Sequence, residues 1–427
     1  MAAAAYVAAL PVLGALSQRG AVRARTLWRG RLGIVPDEVV AQAPWDIWMQ
    51  AVSVGEVGVA SALVDALSKV KPGLKILISS STPTGLEQAG KLFVNRGGSV
   101  CAVMPYPLDF PQAVSMASSL VSPRIFACIE TELWPSMLLT MRHRKVPAVL
   151  LNGRISARSF PRYRKISRVM APLLETFCLI CASSSASAER LRALGAVEDR
   201  IMVTGNAKYE ALLHRPDASR ANAMARFLGI DPGDKVFVAG SVRSGDEIHL
   251  VRAWKVLEKL HHDLRLVVVP RHLRRVDALE VLFRKNSMPC IRWSRMGRGE
   301  VSRIVIVDEI GPLFDLYGVA TVAFVGGSMT PKGGQNILEP AAWGCPVFYG
   351  PFMDNFEDAA KALDEQGACG RVADGQELGQ RVHQLLCDSQ MADTAGRAAR
   401  KALECIAEGA ATMQAEAVVR LLEARPV

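Results

Sequence analysis

"TVAFVGGSMTPKGGQNILEP", residues 321–340, runs from an apolar β-rich segment through four glycines into Asn336-Ile337-Leu338-Glu339, which reads as a helix start. Glycines before a helix free main-chain N–H groups to face an anion, so a phosphate-holding loop is one reading. An ordinary strand-to-helix connection is the other. The rest of the chain must choose between them.

Working outward, the same strand–loop–helix grammar recurs. Strands are expected at 45–51, 74–81, 99–105, 124–130, 148–154, 179–184 and 201–205, and after an irregular stretch at 209–219 again at 235–241, 264–270, 303–309, 321–327 and 346–350. Each is a short, almost continuous apolar run followed by helical spacing or a turn, the pattern of buried parallel strands. A chain of 427 residues exceeds one compact core. The expectation is α/β: two Rossmann-like αβα domains facing each other across a cleft, with a C-terminal helical segment. The boundaries are 1–30 for an N-terminal segment, 31–210 and 220–400 for the domains, and 401–427 for the helix. Ligands of such sheets sit beyond the carboxyl ends of strands, where the opening loop lies.

Composition narrows the partners. Lys+Arg 51 against Asp+Glu 41 gives a net charge of +10, which suits an anionic partner, while aromatic residues at 6% are sparse for base stacking. Of nine cysteines only Cys178 and Cys181 are three apart, so neither a disulfide framework nor a zinc finger is expected. The histidines show no HExxH spacing, and no metal is expected. No GxxxxGK[ST] loop or suitably placed GxGxxG occurs, which disfavours triphosphate hydrolysis and dinucleotide redox chemistry. At the N-terminus an apolar run, Ala2–Leu16, precedes Arg19, Arg23, Arg25, Arg29 and Arg31. It is short for a span and suits a segment on a membrane interface with its charges on the cytoplasmic side; a frayed terminus is the alternative.

Candidate chemistry gathers at strand ends. Glu56, in "AVSVGEVG", follows the first strand and is either a general base or a first-turn acid complementing the helix dipole. "SSSTPTG" (79–85) supplies hydroxyls, "CIETELWP" (128–135) supplies Glu130 and Glu132, and "TGNAKYE" (204–210) supplies Lys208. Between Glu132 and Glu175 there is no acid, yet Arg142, Arg144, Lys145, Arg154, Arg158, Arg162, Arg164, Lys165 and Arg168 occur. Unopposed cations of this density fit an anionic lipid or phosphorylated saccharide better than RNA. "AGSVRSGDE" (239–247), "VVVPRH" (267–272) and "DEIGPLFDLYG" (308–318) converge on a possible nucleotide site.

These motifs, in this order, resemble the 3-deoxy-D-manno-octulosonic acid (Kdo) transferases of lipopolysaccharide biosynthesis, from about residue 25 to residue 390. "ETELWP" and "GGQNILEP" carry most of the likeness. The resemblance implies a GT-B fold, CMP-Kdo as donor, and the phosphorylated lipid A precursor (lipid IVA) as acceptor at the cytoplasmic face of the inner membrane, with no cofactor, no metal and no nucleic acid. It implies Glu56 as base of an inverting transfer and Glu130 and Lys208 as groups stabilising the transition state. Pro270, Arg271, Ile310, Gly311, Pro312, Asn336, Ile337, Leu338 and Glu339 match CMP-binding stretches, and Ser241, Arg243, Gly334 and Gln335 are further donor contacts. Arg154, Arg158, Arg162 and Arg164 are expected on the acceptor or membrane face. Two departures stand out. Val242-Arg243 occupies the usual Thr-His, and Pro312 a position often acidic. Another GT-B enzyme using a UDP-sugar, a non-catalytic membrane-bound nucleotide-sugar sensor, and a basic RNA-binding protein are the alternatives.

Overall fold

The computed structural model describes residues 26–94, 100–231, 233–297 and 302–424. The chain forms two compact units, one of residues 1–208 with 409–427, the other of 209–408. In the first, seven parallel strands are ordered β3-β2-β1-β4-β5-β6-β7: β1 (Trp45–Gln50), β2 (Lys75–Ser80), β3 (Val100–Pro105), β4 (Pro123–Ile129), β5 (Ala148–Gly153), β6 (Phe177–Ala182) and β7 (Ile201–Val203). The alternating faces of these strands bury two separate apolar cores. Trp48, Phe126, Leu150 and Ile180 enter one; Ile47, Met49, Ile76, Ile125 and Val149 enter the other. Being covered on both sides is what gives such strands their near-continuous hydrophobicity.

The second unit repeats the design with β8 (Val236–Val242), β9 (Arg265–Pro270), β10 (Ile291–Arg292), β11 (Ile304–Ile306), β12 (Val322–Val325), β13 (Val347–Tyr349) and β14 (Cys369–Arg371), ordered β10-β11-β9-β8-β12-β13-β14 and all parallel. Several helices begin where short polar side chains satisfy free N–H groups: Ser53 before Val54–Val70, Thr82 before Pro83–Phe93, Asp217 before Ala218–Leu228 and Asp374 before Gly375–Cys387.

All twelve expected strands are present. β10 and β14 were not foreseen, because Ile291-Arg292 and Cys369-Gly370-Arg371 are not apolar runs. Much of the stretch expected to be irregular is helical, at Ala207–Leu213 and Ala218–Leu228, since Tyr209, Leu212 and Leu228 are drawn into the second unit's core. The terminal segment is two helices, Ser389–Ala407 and Ala410–Glu423, separated at Gly409, whose φ of 73° ends the first. The second belongs to the first unit, where Ala411, Ala415, Val418 and Leu422 join the core beside helix Val54–Val70.

In each unit the strand order reverses at one place, between β1 and β4 and between β8 and β12. The loops leaving these strands diverge there, opening a crevice at the carboxyl edge. The strands thus determine where each site can be.

Candidate active site

In the first unit the crevice lies between the ends of β1 and β4, and both ends deliver acids. Glu56 is 8% exposed. Its carboxylate accepts from the Val52 N–H (2.7 Å) and Ser53 Oγ (3.1 Å), while Ser53 Oγ accepts from the Glu56 N–H (3.3 Å). This is a reciprocal helix cap, so the first-turn role weighed above is real. It also points the carboxylate back toward the strand end. The Val52 carbonyl is anchored in turn by Ser80 Oγ (3.1 Å) and Thr82 Oγ1 (2.8 Å). Beneath, Trp48 Nε1, Ser79, Gln50 and Ser81 form a buried chain of hydrogen bonds. The Ser80 and Thr82 hydroxyls of "SSSTPTG" therefore hold the Glu56 loop, while those of Ser79 and Ser81 tie β2 to β1.

Glu130 follows β4 in a left-handed conformation (φ 60°), its N–H bonded to the Leu151 carbonyl. Burial raises the Glu56 carboxyl above its usual value, with the Glu130 charge adding to the shift. Glu132 is pushed up to about 7 by burial, then by the charges of Glu56 and Glu130. Burial first, and the neighbouring carboxylates after it, favour the protonated form of Glu132 near neutrality. Lys208 brings a cation to the same loop, at the start of the Glu56 helix. Its Nζ stands 3.9 Å from where a Cβ on Gly55 would be. The lysine is placed by Asn152, whose Oδ1 accepts from the Ala207 N–H (3.0 Å), and Asn152 is itself held through its N–H by Gln414 Oε1 (2.9 Å). Gln414 is wholly buried and comes from the last helix.

The cationic face expected at 154–168 divides. Arg154 is half-buried, and its carbonyl accepts from Thr131 Oγ1. Arg158, Arg162 and Arg164 are exposed and, among the described residues, face no carboxylate within ion-pair distance. Ile166 and Val169 are exposed beside them, whereas Phe160 and Tyr163 pack on the core as anchors of the short Phe160–Lys165 helix.

In the second unit Asp246 organises the crevice. It is fully buried and accepts from the N–H groups of Arg243 (2.7 Å), Gly327 (2.5 Å) and Met329 (3.2 Å), tying the loop after β8 to the loop after β12. Burial raises its carboxyl while those three bonds oppose the rise. Ser241 bulges out of β8 at φ 53°, re-aiming the chain toward Arg243. Arg243 and Gln335 both lie against Gly327. Gly333 and Gly334 have φ of 83° and 76°, and a Cβ on Gly334 would stand 2.5 Å from Met353 Sδ. The opening glycines are needed for a left-handed turn under close packing. The helix that follows, Leu338–Ala342, has only five residues, so anion attraction here rests on loop N–H groups and nearby cations more than on a macrodipole.

Those cations are close together. Arg274, Arg243, Arg271 and Lys332 all act on His272 and, after burial, are what hold its imidazole below the usual range. Lys332 Nζ also donates to the Ser244 carbonyl (2.5 Å). Asn336 Nδ2 donates to Glu339 (3.3 Å), and its Oδ1 accepts from the Leu338 N–H (3.2 Å). Ile337 and Leu338 are fully buried and Pro270 is buried at the end of β9, so these three can offer a ligand main-chain atoms only. Gly311 (φ 122°) and Pro312 form an open turn beside Ile310, which is 89% exposed. Asp246, Lys332, Asn152 and Gln414 were not singled out as site residues from sequence, and Glu132 was named there only as a strand-end acid. The "RSGD" spacing, which lets an Asp accept from an N–H three residues back, could have exposed Asp246.

Two Rossmann-like αβα units, each with its polar residues at a switch point, define a GT-B type protein. Two solved structures share the fold: a glycosyltransferase from Rickettsia africae (TM-score 0.61, 14% identity, covering 90% of this chain and all of that one) and a UDP-GlcNAc 2-epimerase from Neisseria meningitidis bound to UDP-GlcNAc (TM-score 0.62, 12% identity, 89% and 100%). The family model for 3-deoxy-D-manno-octulosonic-acid transferase (kdotransferase) matches residues 26–211. The chain is 31% identical to the 3-deoxy-D-manno-octulosonic acid transferase of Haemophilus influenzae over 84% of its own length and 83% of that protein's, and 30% identical to that of Bordetella pertussis over 91% and 92%. It spans 49% of a bifunctional glycosyltransferase/methyltransferase from Fusobacterium nucleatum, at 32% identity. The chain belongs to the Kdo transferase family of glycosyltransferases.

Proposed function

We propose that this chain transfers Kdo from CMP-Kdo to a hydroxyl of the lipid A precursor lipid IVA, inverting the anomeric centre, with Glu56 as general base. One observation carries the reading: a buried carboxylate of raised proton affinity sits at the switch point of the first unit, beside Glu130 and Lys208, in a member of this family. Glu56 accepts the acceptor hydroxyl's proton as that oxygen bonds to the anomeric carbon, and the bond from that carbon to the CMP phosphate oxygen breaks. Lys208 and Glu130 stabilise charge as it redistributes on the sugar. CMP departs with a single phosphate, which Arg243, Arg271 and Lys332 neutralise, so the transfer needs no divalent metal. Asn336 to Glu339 bind the nucleotide through main-chain groups and the Glu339 carboxylate, with Ser241, Gly334 and Gln335 lining the same loops. Ile310, Gly311 and Pro312 cover it.

The acceptor's phosphates meet Arg158, Arg162 and Arg164, which puts the protein at the cytoplasmic face of the inner membrane. No helix among the described residues is long and apolar enough to cross a membrane, and the N-terminal segment expected to lie on it falls, up to residue 25, outside them.

The test is transfer of labelled Kdo to lipid IVA, with CMP-Kdo generated in situ because it is labile, with and without EDTA. Transfer that persists in EDTA is expected. Glu56→Gln should lower turnover on the order of 10³-fold or more while leaving CMP affinity within about twofold, because the base touches the acceptor only. Absence of transfer together with binding of UDP-sugars would overturn the donor assignment.

A further inference from the structure

The second unit carries a ligand set that the transfer reaction does not use. His261 follows helix Glu247–Leu257, in the connection that enters β9. His383 and Cys387 are four residues apart on helix Gly375–Cys387, hence on one face. His261 Nε2 lies 2.9 Å from His383 Nδ1, and Cys387 Sγ lies 3.5 Å from that same nitrogen. One donor atom from each of the three side chains falls within 4.8 Å of the others.

We propose that His261, His383 and Cys387 bind a zinc ion that fastens the loop before β9 to the end of helix Gly375–Cys387. An ordinary pair of hydrogen-bonded histidines is the competing explanation, and it leaves something over. A single ring nitrogen can satisfy one of its two close neighbours, whereas a cation satisfies three lone pairs at once. The spacing fits. Tetrahedral zinc bonds imply edges of about 3.3 Å between two nitrogens and about 3.6 Å between nitrogen and sulfur. The N···S distance already agrees, and the N···N distance needs to open by roughly 0.4 Å. A thiolate with two imidazoles selects zinc-like ions over magnesium or calcium, which take oxygen. His261 is 5% exposed. On binding, the S–H proton leaves to solvent as the S–Zn bond forms, the imidazole that donates the hydrogen bond shifts its N–H proton to its other ring nitrogen through solvent so that both facing nitrogens are bare, and water completes the fourth position.

The site stands at the amino ends of β8 and β9, while the nucleotide loops leave their carboxyl ends about 20 Å away along the strands. Its role is structural and independent of the proposed transfer. Sequence scanning passed over it because 122 residues separate His261 from His383.

The test uses the full chain, stripped with chelator and titrated with Zn²⁺ or, as a spectroscopic probe, Co²⁺. One equivalent should bind, with a thiolate-to-cobalt charge-transfer band in the near ultraviolet, and Zn²⁺ at about 100 times its Kd should raise the melting temperature by roughly 5 °C. Cys387→Ser should abolish the band, and His383→Gln should weaken binding at least tenfold. Both positions are near the surface, so folding should survive; circular dichroism checks this. Zinc should also slow alkylation of Cys387 but not of Cys405, the other exposed thiol. Sub-stoichiometric binding, a Co²⁺ spectrum unchanged in Cys387→Ser, or equal protection of both cysteines would overturn the proposal.

Discussion

At the scale of single residues, the molecule places carboxyls where each has a different duty. Glu56 caps its own helix and, by the same hydrogen bonds, presents a carboxylate whose proton affinity is raised by burial and then by Glu130. A base so raised is lost as pH falls, so the acid limb of kcat/KM should lie above the usual glutamate range. Glu132 is the more demanding neighbour. Its carboxyl titrates at about 7, above its unfolded value near 4.5, so the folded state binds the extra proton between those values. The stability this contributes is complete below about pH 4.5 and is lost as pH rises through 7. Glu132→Gln should therefore flatten the pH dependence, being more stable than the parent at pH 8 by about 1–3 kcal/mol and nearly equal at pH 4.5. Urea denaturation at both pH values measures this, and an unchanged difference would mean that the Glu132 carboxyl is not raised in the folded state. Asp246 acts by holding loops. In Asp246→Asn one acceptor oxygen becomes an N–H₂ facing an N–H, either at the Arg243–Gly327 pair or at Met329. CMP affinity should fall at least tenfold by calorimetry although no atom of Asp246 needs to touch the nucleotide.

At the scale of elements, two short pieces of chain do work that their length conceals. The Phe160–Lys165 helix packs the half-buried Phe160 and Tyr163 against the core, which turns Arg162 and Arg164 outward beside Arg158, Ile166 and Val169. Cations worth about 1 kcal/mol each near an anionic leaflet would together account for roughly a hundredfold in partitioning. Replacing Arg158, Arg162 and Arg164 by Ser should produce a loss of that order in vesicle co-sedimentation with anionic lipid, diminishing in high salt, and no loss with neutral lipid. The Ala410–Glu423 helix works differently. Its Gln414 reaches Asn152 and the Gly205 carbonyl (3.5 Å), so the last helix of the chain positions the loop that carries Lys208. The glutamine sits among alanines and valines on the buried face, a polar residue that only its partners explain.

At the scale of the whole molecule, the two units are unequal as pieces. The second is one continuous stretch, 209–408, with a core on each face of its sheet. The first is closed only by residues from the far end of the chain. A fragment of 209–408 should fold and bind CMP. A fragment of 1–208 should aggregate or melt early, because the apolar side of helix Val54–Val70 is left uncovered, and joining residues 409–427 to it should restore a cooperative transition. Equal stability of 1–208 with and without that helix would contradict the packing described.

Much of this was legible in the chain itself. Apolar runs in parallel strands announce themselves, because burial on both faces leaves no room for polar alternation; the twelve expected strands and the two-unit α/β plan follow from that. The strand-end positions of Glu56, Glu130 and Lys208 were readable for the same reason, since a polar cluster after such a run marks the carboxyl edge. What the sequence could not decide was anything made by residues distant along the chain. The strand orders, the burial that raises Glu56 and Glu132, the three loop bonds on Asp246, and the meeting of His261 with His383 and Cys387 all depend on crossovers and helix docking. Local propensity carries no information about which crossover lands where. The core decides that, by burying Gln414 beside Asn152 and His261 beside His383.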